Sequence, residues 1–465
     1  MPSYKSGNWD GRVRFFNTRN DTLPFGLVSM IPEFCKSGGY TCAKDWESGV
    51  EMSMEDWLEF IGLLKLSMEP RPYQIQAAYD AITQQNLCIE LPTGSGKSLV
   101  IYMITRWMQL NELRTLIVVP QTQLVEQLHG NFVEYGWKAA FEECHKIYSG
   151  KDKTFDKPVI ITTWQSLYKE RNIYENFDCL LIDEGHGAKA KSLSTIAANC
   201  YNTPWRIGTS GTYPDNRAES LSIIGALGPI KKYTDYKELR DLGFLADLEI
   251  KNIILQYPEQ IVRYNTNHNR GDYHKEIDFL NGLIPRNRFI TDLALRLEKN
   301  TIVLFSRIKL GEHLTEELRK LKDNVFYIDG KISIDERERI RALLEKRNGV
   351  TLFASFGTFK QGIDIKNVHN IIFASNYKSK IPVLQAIGRA LRNLEGKTAT
   401  IYDIVDDLES TYESGRGTTK KYINYSLKHL AERQKFYKKQ GFDKVSYLPV
   451  KISEDSSLQT KTDKI

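Results

Sequence analysis

The chain is expected to fold as an α/β protein, with two parallel-sheet domains in tandem behind a small N-terminal α+β unit. Three observations predict this. Its 465 residues exceed one ordinary domain, for which roughly 150 residues is the usual size. From Glu69 onward, short apolar strands alternate with amphipathic helices, the pattern of a parallel sheet with covered faces. That series then occurs a second time, starting near Leu248.

In the N-terminal unit, Val13–Phe16 reads as a strand after the turn-like Trp9-Asp10-Gly11. Leu27–Cys35 is an apolar helix start interrupted by Pro32, and Lys-Ser-Gly-Gly at 36–39 is a turn. Met54–Leu66 has helical spacing, with Trp57, Leu58, Ile61 and Leu64 on or near one face. The first α/β series has expected strands at Leu87–Leu91, Thr115–Val119, Val159–Thr162, Cys179–Ile182 and Trp205–Gly208. The second has them at Thr301–Phe305, Val325–Ile328, Thr351–Ala354, Asn370–Ala374 and Thr398–Asp403. The boundary is expected between about 235 and 250, where Gly243 lies in a charged stretch, which divides the chain into 1–67, 68–242, 243–450 and a polar tail at 451–465.

With 41% hydrophobic and 26% charged residues the composition is globular and excludes a wholly disordered chain. The net charge of +6 permits a nucleic-acid partner without requiring one. Six cysteines without a CxxC pair read as reduced thiols of a cytoplasmic protein rather than a disulfide framework or zinc site. No run approaches the 18 apolar residues of a membrane span, and the polar start MPSYKSGNWDGR does not read as a secretory signal.

Three segments carry chemistry. Leu91-Pro-Thr-Gly-Ser-Gly-Lys-Ser98 follows an expected strand and opens an apolar helix, the setting of a phosphate-binding loop. Gly94 and Gly96 let backbone N–H groups turn toward phosphate oxygens, and the helix N-terminus adds positive partial charge. Lys97 is placed for the β- and γ-phosphates and Ser98 for Mg²⁺, with Thr93 and Ser95 completing the loop; Leu91 stands where the strict pattern has Gly. Leu180-Leu-Ile-Asp-Glu-Gly-His186 delivers two carboxylates at a strand's C-terminal end, where ligands of open α/β sheets bind. Asp183 is the expected Mg²⁺ ligand, Glu184 the residue that polarises the attacking water, and His186 a coupling residue. Gln385-Ala-Ile-Gly-Arg389-Ala-Leu-Arg392 sets two arginines on one helical face, suited to forked contact with phosphate oxygens from a second domain.

Together these segments resemble the superfamily 2 nucleic-acid helicases of the DExH type, and further signature segments fall in the same order. Arg71-Pro-Tyr-Gln74 is similar to the family's adenine-reading segment, implying Gln74 on the base edge and Arg71 or Tyr73 near its face. Val118-Val-Pro-Gln-Thr122 and Thr162-Thr-Trp-Gln165 resemble the strand-contact motifs of the first domain. Gly208-Thr-Ser-Gly-Thr212 resembles the segment that links hydrolysis to domain movement, implying coupling roles for Ser210 and Thr212. Val303-Leu-Phe-Ser-Arg307, Gly330 with Arg337, and Ala354-Ser355 through Gly362-Ile-Asp364 resemble the second-domain motifs. The resemblance implies two RecA-like domains, ATP and Mg²⁺ as cofactors, and nucleotide contacts from Gly362 and Asp364. It also implies action of Gln385, Arg389 and Arg392 at the phosphates, and DNA contacts from Thr122, Thr163, Trp164, Ser306, Arg307 and Thr358.

The resemblance narrows further. Gly7-Asn-Trp-Asp-Gly-Arg-Val-Arg14, Leu23-Pro-Phe-Gly-Leu27, Lys378-Ser-Lys-Ile381 and Asn424-Tyr-Ser-Leu-Lys-His429 are similar to the UvsW-type helicases of T4-like bacteriophages. That branch implies an N-terminal DNA-binding unit at 1–67, where Trp9 almost at the start reads as either a shortened unit or a misplaced start codon, and Gly185 stands where the family more often has Cys or Ala. It implies an ATP-driven DNA helicase that remodels branched DNA by fork regression, Holliday-junction branch migration and R-loop removal, moving 3′ to 5′ in replication, recombination and repair. Single-stranded and branched duplex DNA, with an RNA–DNA hybrid in R-loops, are the implied partners of a monomer on DNA in the host-cell cytoplasm, with no membrane partner. Residues 416–444 carry nine Lys or Arg against two Asp or Glu, interleaved with Tyr422, Tyr425, Phe436 and Tyr437, which suits either phosphate neutralisation with ring stacking or a solvated helix with core aromatics. The rival readings are an RNA-directed DExH helicase, an ATP-gated nucleic-acid-binding module, and the motor subunit of a restriction-type assembly.

Overall fold

The computed structural model describes residues 10, 12–43, 49–150, 152–167, 170, 173–189, 191–360, 365–391, 397–413 and 417–453. They divide into two compact units, 1–235 and 236–465. Residues 236–242 pack with the second unit: Tyr236 is buried and donates its hydroxyl to the Leu384 carbonyl, and Arg240 donates to the Gly441 carbonyl at 2.5 Å.

In the first unit, seven strands run in sequence as β1 (Asn86–Glu90), β2 (Thr115–Val119), β3 (Cys144–Ile147), β4 (Val159–Thr163), β5 (Cys179–Asp183), β6 (Trp205–Ser210) and β7 (Ile230–Lys232). They form one parallel sheet in the order β3-β4-β2-β5-β6-β1-β7. β2 and β4 are buried at every position, which explains their unbroken apolar runs: helices cover both faces, so no residue alternates toward water. Sheet and helices meet in a core of Leu116, Val118, Ile160, Leu180 and Ile182 with Ile196, Ile223 and Leu227.

The N-terminal residues pack onto this unit. Residues expected as a Val13–Phe16 strand make none; Val13 and Phe16 are half exposed, and the only pairing there among the described residues is an isolated Asn17–Thr22 bridge. A strand needs a partner for its backbone groups, and among the described residues no strand pairs with it. Pro32 does not break the following helix because it falls in the first turn of Ile31–Ser37, after a 3₁₀ turn at Phe25–Met30. Met54–Leu63 is a helix opened by a Ser53–Asp56 capping box, and Trp57 is fully buried with its indole N–H on the Ile75 carbonyl.

The second unit repeats the architecture. β8 (Asp247–Gln256), β9 (Thr301–Phe305), β10 (Val325–Ile328), β11 (Thr351–Ser355), β12 (Asn370–Phe373), β13 (Thr398–Asp407) and, after a small antiparallel hairpin, β16 (Val445–Lys451) form a parallel sheet in the order β10-β11-β9-β12-β13-β8-β16. The hairpin pairs β14 (Ser410–Glu413) with β15 (Thr419–Tyr422). Its strands carry mostly polar residues that are largely exposed, and β7 is a three-residue edge strand with two exposed lysines, so neither shows the apolar run by which the inner strands are recognised. β16 adds at the edge beside β8 by a ten-residue partner whose charged positions alternate with buried ones.

The Tyr425–Lys439 helix is fastened to the second sheet by buried charge. Arg433 makes a forked contact with Asp403 on β13 at 2.7 and 3.0 Å, and both side chains are about 1% exposed. Arg286, from the Ile284–Arg296 helix, contacts Asp406 on the same strand at 2.7 Å. Of the interleaved aromatics, Phe436 and Tyr437 are buried and Tyr422 donates its hydroxyl to the buried Glu276 at 2.7 Å, so these rings are core. Arg433 likewise serves the interior and not the basic surface.

Candidate nucleotide site and family

Strand order assembles the site. β1 lies beside β6, and β6 beside β5, with Asp183 in register with Thr209. Three segments distant in sequence therefore end on one C-terminal sheet edge: the loop after β1, the carboxylates after β5 and the Ser/Thr-rich segment after β6.

The loop leaves β1 at Leu91, whose N–H donates to the Ser210 carbonyl, and turns at Gly94 (φ 91°) and Gly96 (φ 80°) before the Lys97–Leu110 helix begins. A side chain at Gly96 would be strained and would collide with the Gln74 amide. Gln74 and Tyr73 grip the loop from outside, with Arg71 bonded to both. Gln74 Nε2 donates to the Ser95 carbonyl at 2.7 Å, Tyr73 donates to the same oxygen at 2.8 Å, and Gln74 Oε1 accepts the Arg71 N–H at 2.7 Å. Arg71 also donates to the Tyr73 hydroxyl at 2.8 Å. The bonds from Gln74 and Tyr73 latch the loop. The first N–H groups of the Lys97 helix have no intrahelical acceptor, so the loop presents donors to an anion. Lys97 reaches back to the Leu91 carbonyl at 3.5 Å.

Asp183 accepts the Glu184 N–H and the Thr209 hydroxyl, each at 2.9 Å and both on Oδ1. Burial and the neighbouring Glu184 charge push its carboxyl up, while Lys97 pulls it down. Glu184 has φ 54°, a left-handed conformation that costs a non-glycine residue about 1 kcal/mol or more. Its carboxylate meets His186 Nδ1 at 3.1 Å and accepts the Ser210 hydroxyl at 3.3 Å, and His186 lies 3.0 Å from Ser210. The carboxylate end of β5 is thus wired directly to the last residue of β6. Thr212 closes this group, donating its N–H to Ser210 Oγ at 3.4 Å and its hydroxyl to the Gly211 carbonyl at 2.6 Å.

The residues fit a magnesium nucleotide. Gly94 and Gly96 open the cradle, a Cβ at Gly211 would stand 3.6 Å from Lys97 Nζ, and Asp183 keeps Oδ2 clear of its two donors. Ser98 and Asp183 would hold the cation. No cluster of three or more His, Cys, Asp or Glu residues that could hold a metal exists among the described residues. Sequence reasoning missed Thr209 and Tyr135, whose hydroxyl lies 2.7 Å from that of Ser98; only strand register and helix packing bring them in.

Gly185 also has a local cause. A Cβ there would lie 2.9 Å from the Tyr213 hydroxyl and 3.2 Å from Gly208 Cα. Gly185→Ala is expected to destabilise the first unit by about 1–3 kcal/mol, read by urea unfolding, with part of the loss restored by Tyr213→Phe. Equal stability of Gly185→Ala and the parent would refute this.

Of the other expected residues, Thr122 opens the Thr122–Glu134 helix and Trp164 packs partly against the first core. The Thr163 hydroxyl is buried and bonded to Ser166 at 3.0 Å. In the second unit, Ser306 and Arg307 are exposed after β9, with the Ser306 N–H on Ser375 Oγ at 3.0 Å. Thr358 is buried and accepts the Ser355 hydroxyl at 2.8 Å. Gln385 is buried in the Lys380–Ala390 helix with Oε1 lacking a hydrogen-bond partner, and Arg389 stacks its guanidinium 5.4 Å from the Phe359 ring centroid. Gly362, Asp364 and Arg392 lie outside the described residues.

A phosphate loop, an acidic strand end and a Ser/Thr-rich segment on adjacent strands, with a second parallel α/β unit after them, define an ATP-hydrolysing helicase of superfamily 2, built from two RecA-like domains. Residues 67–215 match the res subunit family of type III restriction enzymes, 286–394 the helicase conserved C-terminal domain, and 1–45 the N-terminal family of the DNA helicase UvsW. The ATP-dependent DNA helicase uvsW of Enterobacteria phage T4 is 34% identical over 463 residues, covering 96% of this chain and 91% of its own length. The chain belongs to this UvsW family of ATP-dependent DNA helicases. The DNA 3'-5' translocase XPB2 of Sulfurisphaera tokodaii is 25% identical, covering 80% of this chain and 89% of its own length. S. cerevisiae Dbp5 bound to RNA and ADP BeF3 shares the fold, with TM-score 0.58 and 15% identity over 85% of this chain and 93% of that one. No helix among the described residues is long and apolar enough to cross a membrane.

Proposed function

We propose that this DNA helicase remodels branched DNA, regressing forks, migrating Holliday junctions and clearing R-loops, with translocation 3′ to 5′. The observation that carries this reading is that similarity to the T4 helicase spans 96% of the chain, and residues 1–45 match the UvsW N-terminal family. The description of the archaeal relative as a 3'-5' translocase supports the direction. In this reading ATP binds with Mg²⁺ on Ser98 and Asp183, the loop at 93–98 holds the phosphates, and Glu184 orients the attacking water. Gln385, Arg389 and Arg392 serve the phosphates from the second unit, with Gly362 and Asp364 as further nucleotide contacts. His186, Ser210 and Thr212 transmit the nucleotide state, for which the Glu184–His186–Ser210 contacts supply a direct path. Thr122, Thr163, Trp164, Ser306, Arg307 and Thr358 hold the strand, and residues 1–67 bind DNA beside the motor. The protein acts as a monomer on DNA in the cytoplasm.

The test is steady-state ATP hydrolysis alone and with single-stranded DNA, a synthetic fork, a four-way junction and RNA, beside strand-displacement assays of both polarities. Greater stimulation by the fork and junction than by the plain strand, with 3′-to-5′ displacement, is expected. Stimulation by RNA alone would overturn the DNA reading, and equal stimulation by every DNA would overturn the branched one.

A further inference from the structure

The helicase motifs do not absorb a second basic surface on the 236–465 unit. It is formed by the β14–β15 hairpin, the turn at 269–272 and the start of the Tyr425–Lys439 helix. These parts are fixed to one another. Thr266 and Ser410 share a hydrogen bond of 2.6 Å, the Tyr425 hydroxyl donates to the Gly271 carbonyl at 3.1 Å, and Tyr273 meets Tyr425 edge to face at 5.4 Å. From there the surface continues to the end of β9, where Arg307 lies 3.5 Å from His274.

Three of its cations are Arg270, Lys420 and Lys428. All are exposed, and none has a carboxylate within ion-pair distance among the described residues. Two are seated on rings. The Arg270 guanidinium lies 3.6 Å from the Tyr412 ring centroid, and the Lys428 ammonium 5.0 Å from that of Tyr425 and 5.8 Å from that of Tyr422. Nearby carboxylates are committed elsewhere: Glu409 pairs with Lys421 at 2.8 Å, Asp278 with Arg307 at 3.5 Å, and Asp272 caps the Tyr273–Gly282 helix. Glu413 is the exposed exception on the hairpin.

We propose that this surface binds the sugar–phosphate backbone of duplex DNA, outside the motifs that hold the translocated strand; this rests on the DNA-helicase reading above. Exposed cations without carboxylate partners are what a polyanion neutralises with release of its own counterions. The rings that would stack unpaired bases are covered by Arg270 and Lys428, so the surface offers charge and not base platforms. Recognition by phosphate alone accepts a paired arm without opening it. The Thr266–Ser410 bond ties the hairpin to the helix before the turn at 269–272, which sets where that arm would run.

The test compares the full chain with R270Q/K420Q/K428Q, in binding to a blunt duplex, a fork with duplex arms and a single strand of equal length, across a salt series. The variant is expected to keep its DNA-free ATPase rate. Its plot of log affinity against log salt for duplex and fork should flatten by about 2–3, and affinity at 0.1 M salt should fall at least tenfold. Single-strand affinity should change less than twofold. An unchanged slope on duplex and fork would overturn the proposal, and so would a loss equal on single strand and duplex. A parent protein that binds no DNA would instead sink the helicase reading itself.

Discussion

Replacing Lys97 with Ala is expected to lower ATP hydrolysis by at least about 10²–10³-fold while leaving the unfolding midpoint unchanged. The ammonium group lies at the mouth of the loop, near the Leu91 carbonyl, and its charge is felt at Asp183. In the proposed mechanism it supplies positive charge where transferred phosphate develops negative charge, and no other Lys or Arg occurs between Leu91 and Ile104 to replace it. Fold stability does not depend on it, because the loop is held by the Gln74 and Tyr73 bonds to the Ser95 carbonyl. Glu184→Gln separates binding from hydrolysis: it should retain a fluorescent ATP analogue that Lys97→Ala binds poorly, and still fail to turn over. A folded Lys97→Ala protein that hydrolyses ATP at the parental rate would remove the loop from the mechanism.

Arg433→Leu should destabilise the second unit by about 3–5 kcal/mol near neutral pH, read by urea unfolding, without an exposed contact being lost. The substitution leaves Asp403 buried with its forked partner gone and the Tyr377 carbonyl without its 2.9 Å donor. Burial already pushes the Asp403 carboxyl up against the pull of Arg433, and in the variant that pull is absent. A carboxyl raised in the folded state binds more protons folded than unfolded, so acidification through that window favours the fold. The deficit of Arg433→Leu should therefore shrink as pH is lowered from neutral. A deficit that is small, or that grows on acidification, would show that the pair is not the fastening of the C-terminal helix. Arg433→Leu with Asp403→Leu should recover much of the loss, since two apolar residues leave no unpaired charge.

The two units were legible because a covered parallel sheet demands continuous apolar strands. Thr115–Val119 and Thr301–Phe305 have the ends expected from sequence. Strands at the margins were not legible. β7 and the β14–β15 hairpin are exposed and polar, and β3 is a short edge strand with a half-buried His145-Lys146 centre. Conversely, Val13–Phe16 has the right residues for a strand but no neighbour to pair with among the described residues. The basic C-terminal segment was readable as charge, yet the sequence did not separate Arg433, which faces Asp403 in the core, from Lys428, which faces solvent three residues beyond Tyr425.

The sequence by itself determined the chemistry available to this helicase. In the proposed mechanism Gly94, Gly96, Lys97, Asp183 and Glu184 act through local backbone freedom, charge and their position after a strand, all of which are fixed within a few residues. Only the tertiary structure decided which hydroxyls and rings serve them. Thr209 reaches Asp183 because β5 and β6 are neighbours in register, Ser210 joins His186 and Glu184 for the same reason, and Gln74 latches the loop through its approach to Gly96. Such contacts depend on strand order and helix packing across tens of residues, and no local pattern encodes that order: it is selected by the shared burial of apolar faces and the pairing of buried polar groups.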